Sequence, residues 1–492
     1  MTAGGHRFHP TILREYDIRG VVGETLDVED ARAIGRSFGT IVSGSGGSRV
    51  AVGYDGRLTS LALAEALRDG LNIAGIDVLD IGRGPTPLLY FSQFHLNVDA
   101  GVMVTGSHNP PDHNGFKLMM GRKPFYGSAM QEIAKIAGEA RYAIPSRSGR
   151  SGKAGIFDAY VARIAQDSRM ERPLKVAWDP GNGAAGEAVV ALVRHLPGEH
   201  HVLNAEIDGR FPNHHQDPTI PDNLVQLQET VRSRQCDLGF AFDGDGDRLG
   251  IVDGDGEIIW GDQILAILAR EILVRLPGAA IIADVKSSQI LFDEVVRHGG
   301  RPIMWKTGHA HIKDKMAAEG SPLAGEMSAH VFLADGYYGY DDALYVAVRF
   351  LNIAAATPGG TRALRLSLPK LCNTPEIRLE CSETQKFALV SQVRDLLERE
   401  GAEFSDIDGV RVRRAEGWWL LRASNTQPLI VARAEACDQA GLRSLIADLN
   451  RCLASCGFTP VGAFLALYGK PITISGSSRG SAKPLMRLGD SI

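Results

Sequence analysis

Four times along the chain a short apolar run empties into an aspartate: Val52-Gly-Tyr-Asp55-Gly, Val176-Ala-Trp-Asp179-Pro-Gly, Phe240-Ala-Phe-Asp243-Gly and Ile282-Ala-Asp284. Short apolar runs bounded by Gly, Asp or Pro read as strands, and the runs of this kind, those four among them, lie at 49–52, 76–81, 101–104, 174–178, 238–242, 279–285 and 302–305. Helical stretches at 61–74, 263–275 and 288–298 fall between them. Such alternation predicts α/β layers. Aspartates at the carboxyl ends of strands place a ligand site along that edge, and their recurrence points to related units used repeatedly.

Composition narrows the class. The 492 residues are 44% hydrophobic and 23% charged, a globular balance that excludes a wholly disordered chain. Length alone suggests about three to five domains. Lys and Arg total 53 against 58 Asp and Glu, a formal net charge of −5, so no nucleic-acid footprint is expected. The 56 glycines are in excess and imply tight turns and close backbone approach to a ligand. No apolar run reaches about 18 residues, so no membrane partner is expected. The first 20 residues lack the apolar centre of a signal peptide. Six cysteines without C-x-x-C pairs read as reduced thiols, and the expected location is cytoplasmic.

Beyond Pro369 the pattern changes. Ser382-Glu-Thr-Gln385 reads as a capping box before a helix at 386–400. A hairpin (410–414 and 418–422), a strand (429–434) and a helix (439–453) complete a small α+β domain. The last segment, from about residue 464, reads as a flexible tail.

Four loops carry chemistry. Asp243-Gly-Asp-Gly-Asp-Arg248 alternates carboxylates with glycine, a pattern that converges on one hard cation such as Mg²⁺. A calcium EF-hand is the rival, but Arg248 stands where its glycine belongs and Gly254 where its glutamate belongs. Thr105-Gly-Ser-His-Asn-Pro110 holds Ser107 on a tight turn after a strand, suited to a nucleophile or phosphate carrier. Gly325-Glu-Met-Ser-Ala-His330 offers acceptors and a donor for sugar hydroxyls, and His330 a proton carrier. Arg422-Ala-Ser-Asn-Thr426 gathers a cation, hydroxyls and an amide into an oxyanion cradle. A fifth motif, Gly181-Asn-Gly-Ala-Ala-Gly186, matches a dinucleotide-binding turn but reads here as a tight strand–helix connection.

Taken in order, these loops resemble the α-D-phosphohexomutase superfamily, closest to its bacterial phosphomannomutase/phosphoglucomutase branch. Further matches are Arg14-Glu-Tyr-Asp-Ile-Arg19, Gly53-Tyr-Asp-Gly-Arg57, Gly84-Pro-Thr-Pro87, Phe211-Pro-Asn-His-His-Gln-Asp217, Asp284-Val-Lys286 and Lys306-Thr-Gly-His309. The resemblance implies four domains around a cleft: three related α/β domains and a C-terminal α+β domain. The divisions expected are 1–150, 151–256, 257–369 and 370–463, with 464–492 as tail.

By that resemblance Ser107 carries the phosphoryl group, and Asp243, Asp245 and Asp247 hold Mg²⁺ with an oxygen on Ser107 completing the site. Arg248 lies beside the phosphate. Glu326 and Ser328, with Lys286 and His309, read the sugar. Arg422, Ser424, Asn425 and Thr426 clamp the non-reacting phosphate, and Tyr16 and Arg19 line the cleft. Lys117 and His330 match residues proposed for proton transfer. The implied partners are phosphorylated hexoses, with a hexose 1,6-bisphosphate as intermediate and activator; a monomer is compatible with this. Met327 and Arg422-Ala-Ser-Asn425 separate the chain from the phosphoglucosamine mutase pattern, which remains the alternative, ahead of a dinucleotide dehydrogenase. Two departures stand out: Ala329 where the family usually has Gly, and Ala310 where it usually has Ser.

Overall fold

The structure, a computed structural model, describes residues 5–424 and 427–458. The expected tail at 464–492 therefore lies outside the described residues. Four sheets follow one another along the chain.

The first three sheets share one plan. In the first, Arg49–Tyr54 lies between parallel strands Asp77–Arg83 and Ala100–Val104. In the second, Leu174–Asp179 lies between Gly198–Val202 and Leu238–Phe242. In the third, Ala280–Asp284 lies between Arg301–Trp305 and Leu323–Gly325. Each time, the strand on one flank turns back into an antiparallel partner: His113–Met120, Leu249–Asp253 and Val331–Leu333. The three turns so formed hold Ser107, the aspartate run and Glu326. Three loops remote in sequence thus occupy equivalent positions on three copies of one unit.

The topology also divides the aspartate echo in two. Asp55, Asp179 and Asp284 end the central strands, whereas Asp243 follows a flanking strand and opens a functional turn. The central-strand aspartates brace loops instead of facing a ligand. Asp55 accepts from Gly106 N (3.2 Å) and the Thr105 hydroxyl (2.8 Å). Asp284 accepts from Met327 N (3.1 Å) and the Ser287 hydroxyl (2.7 Å). Each carboxylate satisfies buried N–H or O–H groups that would otherwise be costly to leave unpaired.

The first sheet continues to Ser151–Lys153, paired with Asp77–Arg83, so the division expected at 150 falls inside it. One apolar core runs without interruption from Ala51 through Trp178 and Phe240 to Leu368, joining the first three units. The fourth sheet, an antiparallel set built around Gly417–Ala423 and Leu429–Ala436, has a separate core under helices Lys386–Arg399 and Gln439–Ser455. The expected capping box does not form. Gln385 occupies the N-cap without a side-chain cap, and Ser382 bonds instead to the Gln385 side chain one turn earlier. All six cysteines are free thiols. Among the described residues no helix is long and apolar enough to cross a membrane.

Candidate active site

Ser107 sits at φ +49°, a left-handed conformation uncommon for a residue with a side chain, and is 1% exposed. Its N–H is held by Thr105 Oγ1 (2.8 Å) and its carbonyl by Arg57 Nη2 (2.7 Å). Its hydroxyl donates to Asp243 Oδ2 at 3.0 Å. The serine turn and the aspartate turn pack so closely that a Cβ on Gly244 would lie 2.4 Å from Ser107 O. That contact requires glycine at 244, and a left-handed φ of +73° favours it at 246.

Asp243, Asp245 and Asp247 each turn one oxygen into a space where all three lie within 4.8 Å of one another. Asp243 Oδ1 closes its own loop by accepting from the Asp247 and Arg248 N–H groups (3.0 and 3.1 Å). Lys117 reaches in from the first sheet and puts its ammonium 2.7 Å from Asp245 Oδ2 and 2.5 Å from Asp247 Oδ2. Thr86, from the Gly84–Pro87 motif, donates to the same Asp245 oxygen at 2.5 Å. The opposite oxygens, Asp245 Oδ1 and Asp247 Oδ1, are buried without any hydrogen-bond partner. Orphaned buried carboxylate oxygens that converge are the donor set of a hard divalent cation, so these residues fit one.

The electrostatics agree. Burial, then repulsion from Asp245 and Asp247, pushes the Asp243 carboxyl well above its ordinary range. Burial acts the same way on Asp245, but the Lys117 charge outweighs it and the net direction is downward. Lys117 is buried too, yet its carboxylate partners raise it above the usual lysine value and keep it an ammonium.

Arg248 and His330 continue the site. Arg248 Nε donates to His330 Nε2 at 3.0 Å, which leaves Nδ1 as the protonated nitrogen, 3.0 Å from Asp341 Oδ2. Lys313 in turn holds Asp341 Oδ1 at 2.7 Å. In the turn at 325–330, Glu326 Oε1 accepts from Gly308 N at 2.6 Å, and burial raises its carboxyl above the ordinary value. Ser328 is half-buried beside it. Both ring nitrogens of His309 are buried without a partner, and burial followed by the Lys313 charge pulls this ring well below the usual histidine value. A neutral imidazole with unused nitrogens suits hydroxyl groups. Ala329 adopts φ +71°, which accounts for the glycine usual at this position.

The fourth loop belongs to the last unit. Arg422 and Ser424 are buried. Lys386 braces their loop by donating to Ser424 O (2.6 Å) and Gln427 O (3.0 Å). Asn425 and Thr426 lie outside the described residues. Lys286 pairs with Glu376 of the fourth unit at 3.2 Å. Tyr16 donates to Thr307 O at 2.9 Å, and Arg19 holds Asn109 of the serine turn at 2.9 Å. One chain of contacts therefore joins the serine turn, the acidic turn, Arg248, His330 and the turn that carries Glu326.

Comparison with known proteins places this arrangement. Models described as phosphoglucomutase/phosphomannomutase alpha/beta/alpha domains I, II and III match residues 10–143, 158–256 and 260–371, and the C-terminal domain model of the same family matches 376–451. The chain belongs to the phosphoglucomutase/phosphomannomutase family. It is 43% identical over 435 residues to a phosphomannomutase/phosphoglucomutase of Pseudomonas putida, covering 88% of this chain and 94% of that one. It is 41% identical to a phosphoglucomutase of Neisseria gonorrhoeae over 436 residues, covering 88% and 95%. A crystal structure of a family protein from Burkholderia thailandensis superposes with a TM-score of 0.87 at 44% identity, covering 92% of this chain and 98% of that one.

Within this family fold, several residues beyond those expected from sequence support the site: Asp55, Arg57, Thr86, Thr105, Asp341 and Lys386. Asp55, Arg57, Thr86 and Thr105 fall in motifs visible in the sequence, whereas Asp341 and Lys386 do not. The glycine-rich turn at 181–186 is occupied by protein: Ala184 N donates to Gly244 O at 2.9 Å, and a Cβ on Gly183 would meet that oxygen at 2.9 Å. It backs the acidic turn and leaves no room for a pyrophosphate.

Proposed function

We propose that the chain is a phosphohexomutase that interconverts hexose 1-phosphates and 6-phosphates of mannose and glucose. Ser107 is the phosphoryl carrier, and a hexose 1,6-bisphosphate is intermediate and activator. The observation that carries this reading is the Ser107 hydroxyl 3.0 Å from Asp243, on a strained turn packed against the acidic turn. The relatives' names support mannose and glucose over the glucosamine alternative.

Asp243, Asp245 and Asp247 would hold Mg²⁺, which supplies charge neutralisation to the transferring group when bound. The rest falls to side chains. Lys117 remains an ammonium against Asp245 and Asp247 and keeps the acidic turn assembled. Arg248 turns from His330 to the phosphoryl oxygens and stabilises the charge that develops there. His330, freed at Nε2 and steadied by Asp341, takes the proton of the attacking sugar hydroxyl. The Oγ–P bond of phosphorylated Ser107 breaks as the bond to the sugar oxygen forms; Ser107 Oγ leaves with the bonding electrons and takes up a proton to end as the hydroxyl, which balances the proton lost by the sugar. The bisphosphate then turns over, and its other phosphoryl group returns to Ser107. Glu326, Ser328, His309 and Lys286 orient the ring, Tyr16 and Arg19 complete the cleft wall, and Arg422, Ser424, Asn425 and Thr426 hold the distal phosphate. We place the four working units at 1–150, 151–256, 257–369 and 370–463, with the first sheet continuing into the second division. A fourth unit with its own core is suited to moving as the intermediate turns.

A coupled assay with glucose 1-phosphate and mannose 1-phosphate, Mg²⁺ and a trace of bisphosphate tests the reading. Turnover of both, abolished in Ser107→Ala, is expected; full activity in that variant removes Ser107 as carrier.

A further inference from the structure

The phosphate clamp and the sugar-reading loop sit on units with separate cores, so some contact must set their relation. Several polar contacts join the third and fourth units behind the cleft. Arg411 Nη1, for example, donates to Val285 O (2.8 Å) and Ser287 O (3.0 Å). Asp408 is different because it touches both Arg422 of the clamp and Thr307, whose neighbour Gly308 binds Glu326 of the sugar-reading loop. Its Oδ2 accepts from Arg422 Nε at 3.0 Å and from the backbone N–H of Thr307 at 3.0 Å. The side chain is only 14% exposed.

Thr307 is held from every side. Its carbonyl accepts from Tyr16 of the first unit (2.9 Å), and its hydroxyl donates to Asp284 Oδ2 (3.2 Å). The next N–H, on Gly308, is the donor to Glu326. On the other side, the Asp408 turn is pinned to the clamp strand: Gly409 has φ +80°, and a Cβ there would lie 2.3 Å from Leu421 O. Neither end of the Asp408 bridge is slack.

We propose that Asp408 is a positioning residue that sets the guanidinium plane of Arg422 and ties the phosphate clamp to the sugar-reading loop, so that the two engage substrate as one unit. The inference rests on the mutase reading of the site. A guanidinium meets a phosphate through two parallel N–H groups only when its plane is right, and a carboxylate on Nε fixes that plane. The same carboxylate sets the distance between the clamp and Glu326 through the Thr307–Gly308 backbone.

The test is a double-mutant cycle on the full-length enzyme with glucose 1-phosphate as substrate: Asp408→Ala, Arg422→Ala and both together, with Asp408→Asn as the milder variant. Asp408→Ala is expected to raise KM about tenfold or more, as for a lost charge-assisted hydrogen bond, with kcat within about threefold of wild type. Asp408→Asn keeps an acceptor oxygen and recovers part of the loss, and it carries the test if Asp408→Ala fails to fold. In the Arg422→Ala background, Asp408→Ala adds little further loss of kcat/KM. A wild-type KM in both Asp408 variants, or equal fold losses with and without Arg422, overturns the proposal. An inactive wild-type enzyme would overturn the mutase reading itself, so the two failures are told apart.

Discussion

Removing the ammonium of Lys117 is the sharpest perturbation of the acidic turn. In Lys117→Met the side chain keeps most of its bulk, but Asp245 and Asp247 lose the charge now 2.7 and 2.5 Å away. Both carboxylates are at most 1% exposed, so water cannot replace it. Breaking a buried pair by removing one partner costs about 3–5 kcal/mol. An independent ceiling comes from protonation: neutralising an ordinary aspartate at pH 7 costs about 4 kcal/mol. The expected loss is therefore about 3–4 kcal/mol, which lowers the melting temperature by roughly 4–5 °C, because the first three units share one core and unfold with a large entropy. Mg²⁺ supplies the missing charge, and at about a hundredfold excess over Kd it returns about 2.7 kcal/mol. Thermal melts of wild type and variant, each in chelator and in Mg²⁺, measure this. The variant should be strongly destabilised in chelator and should gain more from Mg²⁺ than wild type does. Equal melting in chelator, or equal gains from Mg²⁺, would refute the charge argument.

Other outcomes follow from single contacts. Ala329→Gly relieves a left-handed alanine and should raise stability by about 1 kcal/mol, measured by chemical denaturation. The Lys286 charge depresses Glu376 to about 2, and this pair joins the third and fourth units at 3.2 Å. A depressed carboxyl stabilises above its unfolded value, so this contribution, on the order of 3 kcal/mol, should fade as pH falls from about 4.5 toward 2. Glu376→Gln should flatten that limb of the stability–pH curve. Lys386→Met removes both braces on the loop at 422–427 and, if that loop holds the distal phosphate, raises KM for glucose 1-phosphate about tenfold or more, with kcat little changed.

How far the sequence could be read depended on locality. The acidic run and the serine turn were visible because their residues are neighbours in the chain and their glycines mark close backbone contact. The strand-end echo was visible too, but its meaning was not. Sequence spacing cannot tell a central strand from a flanking one, so Asp55 and Asp284, which brace loops, looked like Asp243, which opens the acidic turn. The Ser382–Gln385 box matched a pattern that local geometry did not use. Asp341, Lys386 and Asp408 left no local signature at all. Each acts on residues that only the sheet order and the packing of separate units bring near, so nothing in its own stretch of sequence points to its partner. The glycine usual where Ala329 stands was noted from resemblance, and its reason, a positive φ, came only with the backbone.

The central claim is that Ser107 carries the phosphoryl group, and labelling tests it most directly. Purified enzyme, shown to be active, is incubated with glucose 1,6-bisphosphate bearing labelled phosphate and then digested for peptide mapping. One phosphoryl group, about 80 Da, on the peptide containing Ser107 is predicted, and it should be discharged by unlabelled glucose 1-phosphate at the rate of turnover. An active enzyme labelled elsewhere, or labelled at Ser107 but unable to discharge, would contradict the account.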